Sequence, residues 1–297
     1  MDVLKIVPRG YCYGVVDAMT MAKRVAQDPS VPRPIFVLGQ IVHNRHAVQE
    51  LEQYGITTLD GASRLELLEE VPAGATVIFT AHGVSPAVKE RAAARGLHLV
   101  DATCPDVTRT HNLIRSKISA GYAIIYIGTP GHPEPEGAMG EAPPDRVALV
   151  TRPEDVAHLT FSPDSPLAIV TQTTLSQWDT DLVIDAIRLR YPHAEVHNEI
   201  CLATQNRQEA AVQSADAVDL VVVVGDRRSN NSNRLVEVVE KIGGKPSVRV
   251  ENVADLNADW FKDVSRVAVT AGSSTPSRIT REVVNWLSAL SDVTLTQ

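Results

Sequence analysis

The chain has three cysteines, Cys12, Cys104 and Cys201, which are separated by 92 and 97 residues. Each follows a short apolar run and precedes a segment with a helical pattern, and α/β folds present ligand groups at such strand-to-helix turns. Three thiolates that meet at one point would bind a metal ion or an iron–sulfur cluster and leave one coordination position open for chemistry. The repeated setting favours such a site over three inert buried thiols, which are the commoner use of free cysteine.

The spacing also limits how these cysteines can act. No CxxC run or other closely spaced pair is present, so only the fold can bring the three thiols together. An odd number of cysteines argues against a disulfide framework.

Three histidines, His43, His82 and His132, stand directly after apolar runs that are predicted strands. A single histidine in such a place is more often a turn or capping residue than a ligand. Three in equivalent positions could bind a phosphate as imidazolium donors, or complete a metal site as neutral ligands. The residue types alone leave both uses open.

Glu134 stands between Pro133 and Pro135, which predicts a stiff loop beside His132. A carboxyl group fixed next to anion donors could serve as a general acid, although a single glutamate is usually a solvated surface residue. Thr173 follows another predicted strand and could hydrogen-bond a substrate hydroxyl or relay a proton. Its ordinary use would be to cap the end of a strand.

The run from Ser229 to Asn233 contains two serines and three asparagines and precedes a helical pattern. Hydroxyl, amide and backbone donors at a helix N-terminus are suited to binding an anion. A helix cap with a polar turn is the simpler use of the same residues. A second polar stretch, Ala271–Ser274, follows the last predicted strand.

These residues need a scaffold that brings strand ends together. The chain alternates short apolar runs with helical segments, which predicts a parallel or mostly parallel α/β fold. Grouped by the cysteines, each third offers one cysteine and two polar loops at strand ends, where α/β sheets bind ligands. We expect three small α/β lobes, at residues 1–103, 104–200 and 201–280, with residues 281–297 packing back on the first. The predicted strands include Ile35–Leu38, Thr76–Phe79, Ala123–Ile127, Leu167–Val170, Leu220–Val224 and Val267–Val269.

The composition excludes several classes of protein. The 297 residues carry a formal net charge of −8, which argues against a nucleic-acid-binding surface because phosphate contacts need clustered Lys and Arg. The apolar runs are too short to span a bilayer, and the N-terminus lacks the apolar core of a signal peptide. We therefore predict a cytoplasmic protein with no membrane or nucleic-acid partner.

Taken together, the motifs resemble the LytB/IspH family, the 4-hydroxy-3-methylbut-2-enyl diphosphate reductases. The resemblance runs in the same order from residue 3 to about residue 285. The motifs that carry it are Pro8–Val15, Val42–Asn44, Ala81–Ser85, Asp101–Pro105, Gly131–Glu134, Thr171–Ser176, Ala203–Gln208 and Ser232–Leu235.

The resemblance implies three α/β lobes with pseudo-threefold symmetry around a central iron–sulfur cluster, one 4Fe–4S cluster per chain. The three cysteines would hold three of its irons and leave the fourth for substrate. The implied reaction is the last step of the methylerythritol phosphate route to isoprenoids: two electrons and two protons remove the allylic hydroxyl of the substrate as water. The products are isopentenyl and dimethylallyl diphosphates.

The resemblance also assigns roles to individual residues. Glu134 would deliver protons, and Thr173 would assist at the substrate hydroxyl. An external electron donor of the ferredoxin or flavodoxin type would supply the electrons. The residues matched to diphosphate binding are His43, His82, His132, Ser229, Asn231 and Ser274, with Asn230 beside them.

Three positions depart from the family pattern. Asn230 stands where a second serine is usual, Pro135 where an aliphatic residue is common, and Leu202 where an aromatic residue follows the third cysteine. Two other interpretations of the residues are a zinc-dependent hydrolase that uses the cysteines with one histidine, and an iron–sulfur sensor. A sensor does not need three histidines and a fixed glutamate around its cluster.

Overall fold

The computed structural model describes residues 1–294, and the side chains up to residue 290. Within these residues the chain forms three parallel four-stranded sheets with helices between the strands, which confirms the predicted α/β fold with three sheet-based lobes. The strands are β1 Asp2–Lys5, β2 Ile35–Leu38, β3 Ile56–Leu59, β4 Thr76–Phe79, β5 His98–Asp101, β6 Ala123–Ile127, β7 Val147–Val150, β8 Leu167–Thr171, β9 Glu195–His197, β10 Leu220–Val224, β11 Ser247–Val250 and β12 Arg266–Ala271. The helices are α1 Tyr13–Gln27, α2 Arg45–Glu52, α3 Arg64–Glu69, α4 Pro86–Ala94, α5 Pro105–Ser119, α6 Pro133–Met139, α7 Gln177–Arg190, α8 Leu202–Ala215, α9 Asn230–Lys241 and α10 Ser277–Thr294.

The three sheets share one strand order. Their orders are β3-β2-β4-β5, β7-β6-β8-β9 and β11-β10-β12-β1. In the third sheet, the N-terminal strand β1 takes the place that β5 and β9 hold in the other two, and it pairs in parallel with β12. Each cysteine therefore follows the strand at the same edge of a sheet.

The apolar runs explain why the inner strands form. Every residue of β6, β8 and β10 is buried, as expected for a parallel sheet that is covered by helices on both faces. Helices α4 and α5 begin at Pro86 and Pro105, where the missing proline N–H costs no helical hydrogen bond.

The chain divides into two compact units. The first comprises Met1–Val15, Val42–Ala47 and the described residues from Leu202 onward; the second comprises Val16–Ile41 and Val48–Cys201. The predicted boundaries at 103/104 and 200/201 stay a prediction. In the predicted C-terminal segment 281–297, helix α10 packs on β1 and β12, and residues 295–297 lie outside the described residues.

Candidate functional site

The three cysteines have the same backbone setting. Each stands one residue before a helix, namely α1, α5 or α8. The N–H of each cysteine donates a hydrogen bond to a carbonyl in the loop that follows the neighbouring strand of its sheet. The pairs are Cys12 with Ser273 at 3.1 Å, Cys104 with Ala81 at 3.0 Å, and Cys201 with Thr173 at 3.1 Å. The predicted repetition of cysteine position is therefore present in the fold.

The three thiols suit an iron–sulfur cluster by their chemistry. None of the three is in a disulfide, and all three are half-buried, so none is sealed in an apolar core. Iron–sulfur clusters are held by cysteine thiolates. Each sulfur also stands at the N-terminal end of a helix, where the partial positive charge favours an anionic ligand.

Glu134 lies in the first turn of α6, so the predicted stiff loop is in fact the start of a helix. Pro133 occupies the first helical position, which tolerates proline. His132 caps the helix: its Nδ1 accepts a hydrogen bond from the Glu134 N–H at 3.1 Å. In the neutral imidazole, an accepting Nδ1 places the ring proton on Nε2, which is therefore a donor.

The carboxyl group of Glu134 is buried, with 2% of the residue exposed. Its Oε1 accepts a hydrogen bond from the backbone N–H of Thr173 at 2.7 Å. Burial raises the pKa of Glu134 to about 7, and hydrogen bonds from the backbone and hydroxyl of Thr173 only partly oppose that effect. Near neutral pH the carboxyl group can therefore both hold and release a proton, as a general acid must.

The loops around Glu134 hold two histidines in contact. The rings of His82 and His132 meet edge to face, with centroids 5.2 Å apart. His82 comes from the loop after β4, and His132 from the loop after β6. Two imidazoles therefore stand in the same unit as the buried carboxyl group.

Gln172 connects the loops on either side of this carboxyl group, a role that the sequence analysis did not assign. Its side chain is fully buried. Oε1 accepts a hydrogen bond from the Thr129 N–H at 2.9 Å, and Nε2 lies 3.2 Å from the Thr174 hydroxyl. Thr129 precedes His132 in one loop and Thr174 follows Thr173 in the other, so Gln172 fixes both.

His111 forms a second buried contact that the sequence analysis missed. Its Nδ1 lies 2.8 Å from Glu141 Oε1, and both side chains are buried. A Cβ atom on Gly83 would lie 3.2 Å from His111 Nε2, and one on Gly137 would lie 3.3 Å from Cε1. His111 on α5 therefore packs against the residue after His82 and against α6.

In the other unit, predicted anion-binding residues meet at the start of α9. Ser229 caps this helix by accepting a hydrogen bond from the Ser232 N–H. The hydroxyl of Ser274 lies 3.2 Å from that of Ser229 and donates to the backbone carbonyl of His43 at 3.1 Å. Three residues that are far apart in sequence are thus brought together: His43, Ser229 and Ser274.

Asn231 belongs to the same group. Its Oδ1 accepts a hydrogen bond from the Ser273 N–H at 2.9 Å, and its Nδ2 lies 3.3 Å from the Thr204 hydroxyl. Asn231 is almost fully buried, whereas Asn230 beside it is half-buried. The fixed amide connects the α9 N-terminus to the loop after β12.

Ser232 sits at the centre of this group, and two glycines make room for it. A Cβ atom would lie 2.1 Å from Ser232 Oγ if built on Gly225, and 2.0 Å if built on Gly272. Both glycines follow inner strands of the third sheet, so any other residue would push α9 away from the strand ends. The sequence alone shows only that each glycine follows a strand. It does not show that the glycine makes room for Ser232.

The structure places the two remaining departures from the family pattern. Pro135 is buried in α6, where its Cγ would lie 3.0 Å from a Cβ atom on Gly128. Leu202 is 70% exposed at the start of α8. No described helix is long and apolar enough to cross a membrane.

The chain is similar to known proteins over nearly its whole length. The family model for LytB protein matches residues 3–288. A protein of Symbiobacterium thermophilum, named 4-hydroxy-3-methylbut-2-enyl diphosphate reductase, is 59% identical over 287 residues, covering 97% of each chain. A protein of the same name from Anoxybacillus flavithermus is 55% identical, covering 97% of this chain and 90% of its own.

Two solved structures share the fold. The E-1-hydroxy-2-methyl-but-2-enyl-4-diphosphate reductase from Plasmodium falciparum has a TM-score of 0.90 and 35% sequence identity, with 96% of this chain and 87% of that chain covered. A structure described as (E)-4-hydroxy-3-methyl-but-2-enyl diphosphate reductase, the terminal enzyme of the non-mevalonate pathway, has a TM-score of 0.67 and 29% identity, with 97% and 100% covered.

Proposed function

This chain belongs to the LytB protein family, and we propose that it is an oxidoreductase that converts 4-hydroxy-3-methylbut-2-enyl diphosphate to isopentenyl and dimethylallyl diphosphates. The relatives are named for the reduction of this diphosphate. The reaction stands at the end of the methylerythritol phosphate pathway of isoprenoid biosynthesis. The observation that carries the proposal is the buried carboxyl group of Glu134, whose pKa is raised to about 7. Removal of a hydroxyl group as water needs an acid of this kind.

We propose that Cys12, Cys104 and Cys201 hold one 4Fe–4S cluster. The absence of a disulfide at any of the three and their matched positions before three helices support this assignment. When bound, such a cluster supplies single electrons and one iron without a protein ligand, which can act as a Lewis acid on the substrate oxygen.

The diphosphate group needs several convergent donors because it carries about three negative charges. One proposed set is the imidazole of His43 with the hydroxyl and amide groups of Ser229, Asn231 and Ser274. A second is His82 and His132, where capping of α6 through Nδ1 makes Nε2 of His132 the donor nitrogen in the neutral ring. Asn230, which is half-buried, is the weaker candidate in the first set.

Glu134 is the proposed acid. The C–O bond of the allylic alcohol breaks, the oxygen leaves as water, and two electrons and two protons are consumed in the overall reaction. The Thr173 N–H binds Glu134 Oε1, and the Thr173 hydroxyl also hydrogen-bonds this carboxyl group. While it contacts Glu134, the hydroxyl of Thr173 would accept a hydrogen bond from the substrate hydroxyl and relay a proton to it.

Membership of the family favours this reaction over the two alternatives. A zinc-dependent hydrolase would consume no electrons, and an iron–sulfur sensor would not turn substrate over. The cytoplasmic location predicted from the sequence stays a prediction.

The decisive experiment is anaerobic purification, followed by visible absorption spectroscopy, iron and sulfide analysis, and assay with a chemical reductant. We expect a brown protein with about four irons per chain that converts the allylic substrate. Cys12→Ser, Cys104→Ser and Cys201→Ser should each lose most of the cluster and the activity. A colourless zinc protein, or a variant that keeps both cluster and turnover, would contradict the assignment.

A further inference from the structure

A cavity of about 580 Å³ lies within the first compact unit, between the segment that follows β1 and the first turns of α10. Four cationic side chains line it, and no described residue that lines it is acidic. The four are Lys5, Arg9, Arg207 and Arg281.

The convergence of these charges is unusual in a chain with a net charge of −8. Arg207 donates to the backbone carbonyls of Gly10 and Ala203, and Arg9 donates to the carbonyl of Ile6. Lys5 and Arg281 are exposed and form no ion pair within the described part of the chain. Four like charges around one cavity repel one another, so they mark a surface for an anionic partner.

The wall of the cavity is the segment that carries one of the proposed cluster ligands. Gly10 and Tyr11 line it, and Cys12 is the next residue. Apolar side chains stand exposed along the same segment: Val7 is 71% exposed and Tyr13 48%. A patch that combines apolar and cationic side chains is typical of a protein-binding surface and less suited to a small anion.

We propose that this surface docks the protein that delivers electrons, and that this partner is a small, acidic one-electron carrier. The inference rests on the proposed function, because the reaction takes up two electrons that the chain must obtain from outside. Two reduced carriers would each give up one electron and leave oxidised, and those two electrons take part in the loss of the C–O bond as water forms. Complementary charge raises the rate at which such partners meet and is weakened by salt.

Charge reversal at the cavity tests the proposal. With a reduced acidic ferredoxin as donor, Lys5→Glu together with Arg281→Glu should lower kcat/KM for the donor by about tenfold or more. Salt should lower the wild-type value and have less effect on the variant. With dithionite-reduced methyl viologen as donor, turnover of the variant should equal that of the wild type, since a small reductant needs no docking surface.

Lys262→Glu is the matched control for the single variant Arg281→Glu. Lys262 is 72% exposed, pairs with Asp259 and does not line the cavity. Equal effects of these two single substitutions on the ferredoxin kinetics would overturn the proposal. The proposal would also be overturned if Arg281→Glu lost binding of inorganic phosphate at the cavity and kept unchanged ferredoxin kinetics. That result would indicate a site for a small anion.

Measurements of turnover test the proposed function, and measurements of ferredoxin binding test the docking surface, so the two proposals can fail separately. If the wild type shows no turnover with reduced methyl viologen, the proposed reaction is wrong. Calorimetric titration of the holoprotein with oxidised ferredoxin still tests docking in that case. Binding that is weakened by Arg281→Glu and not by Lys262→Glu supports the surface, and equal binding by all three proteins refutes it.

Discussion

Substitution of Glu134 by glutamine separates proton delivery from binding. Glutamine has nearly the same size and keeps an Oε1 that can accept the Thr173 N–H bond, which is 2.7 Å long in the structure. It cannot supply an acidic proton. A general acid contributes about 100- to 10,000-fold to a rate, so we expect Glu134→Gln to lower kcat by that range with little change in substrate affinity.

The raised pKa gives the same prediction a pH dependence. Because the pKa of Glu134 is about 7, the protonated fraction falls about tenfold for each pH unit well above 7. The wild-type rate of the proton-dependent step should fall accordingly on the alkaline side. The residual rate of Glu134→Gln should not follow this titration.

Stability should change in the matching direction. Between pH 4.5 and about 7 the unfolded chain has released this proton and the folded chain still holds it, so the free energy of unfolding falls as pH rises through that window. The difference between the ordinary value of 4.5 and about 7 corresponds to about 3 kcal/mol. Glu134→Gln should remove this loss, which urea unfolding of the anaerobic holoprotein at pH 5 and pH 8 would measure.

Single-turnover assays with pre-reduced protein isolate the chemistry from electron delivery. Wild-type conversion should be fast and pH-dependent, whereas the variant should retain its cluster, bind substrate and convert it slowly. If the variant converts bound substrate at the wild-type rate, Glu134 is not the acid. If the pH dependence of stability is the same in both proteins, the pKa of Glu134 is not raised.

Three further substitutions test the surrounding contacts. Asn231→Ala removes both amide contacts at the α9 N-terminus and should weaken inhibition by inorganic diphosphate about tenfold to a hundredfold, since a hydrogen bond to a charged group contributes about 1.5–3 kcal/mol; unchanged inhibition, with the cluster intact, would contradict the site. Thr173→Val keeps the backbone bonds to Glu134 and Cys201 and removes the hydroxyl bond to Glu134, so it should lower kcat more than substrate affinity; an unchanged kcat would argue against a role for the hydroxyl. His111→Phe removes the partner of Glu141 Oε1 and leaves this buried carboxyl group only the longer contact with Arg115 at 3.5 Å, so it should lower the free energy of unfolding by about 1–3 kcal/mol. His111→Asn keeps a donor near the position of Nδ1 and should recover part of that loss. Equal losses for His111→Phe and His111→Asn in urea unfolding would argue against the contact between His111 and Glu141.

The sequence predicted the inner strands well and the edge strands poorly. β4, β6, β8 and β10 are continuous apolar runs because they are buried on both faces. Three strands that the sequence analysis did not predict, β3, β7 and β11, each lie at the outer edge of a sheet. All three are largely half-buried. β3 and β11 carry polar residues, so their hydrophobic signal is weak, whereas β7 is an apolar run, Val147–Val150, that the sequence analysis overlooked.

The pairing of β1 shows what local patterns cannot supply. Its sequence predicts a strand shortly before Cys12, but no feature of that strand shows which other strand it pairs with. The structure pairs Asp2–Lys5 with Arg266–Val269, at the other end of the chain. Only the shared strand order explains this pairing, because β10, β11 and β12 need a fourth strand at the position that β5 and β9 fill in the other sheets.

The sequence predicted which residue types belong to the candidate site. It did not predict their burial or their hydrogen-bond partners. The position of Glu134 between two prolines indicated a fixed carboxyl group, whereas its burial and the capping of α6 by His132 come from tertiary packing. Gln172 and His111 were missed as positioning residues because a buried glutamine or histidine has no sequence pattern of its own.

Thr173 shows how the fold can couple two parts of the proposed chemistry. Its N–H binds the carboxylate of Glu134, and its carbonyl accepts the N–H of Cys201. One peptide segment after β8 thus touches both the proposed acid and a proposed cluster ligand. Gln172, the residue before it, is held by Thr129 in the neighbouring loop. A displacement of this segment would therefore move the acid and the ligand together, which is how a rigid strand end can keep a proton donor in register with a redox centre.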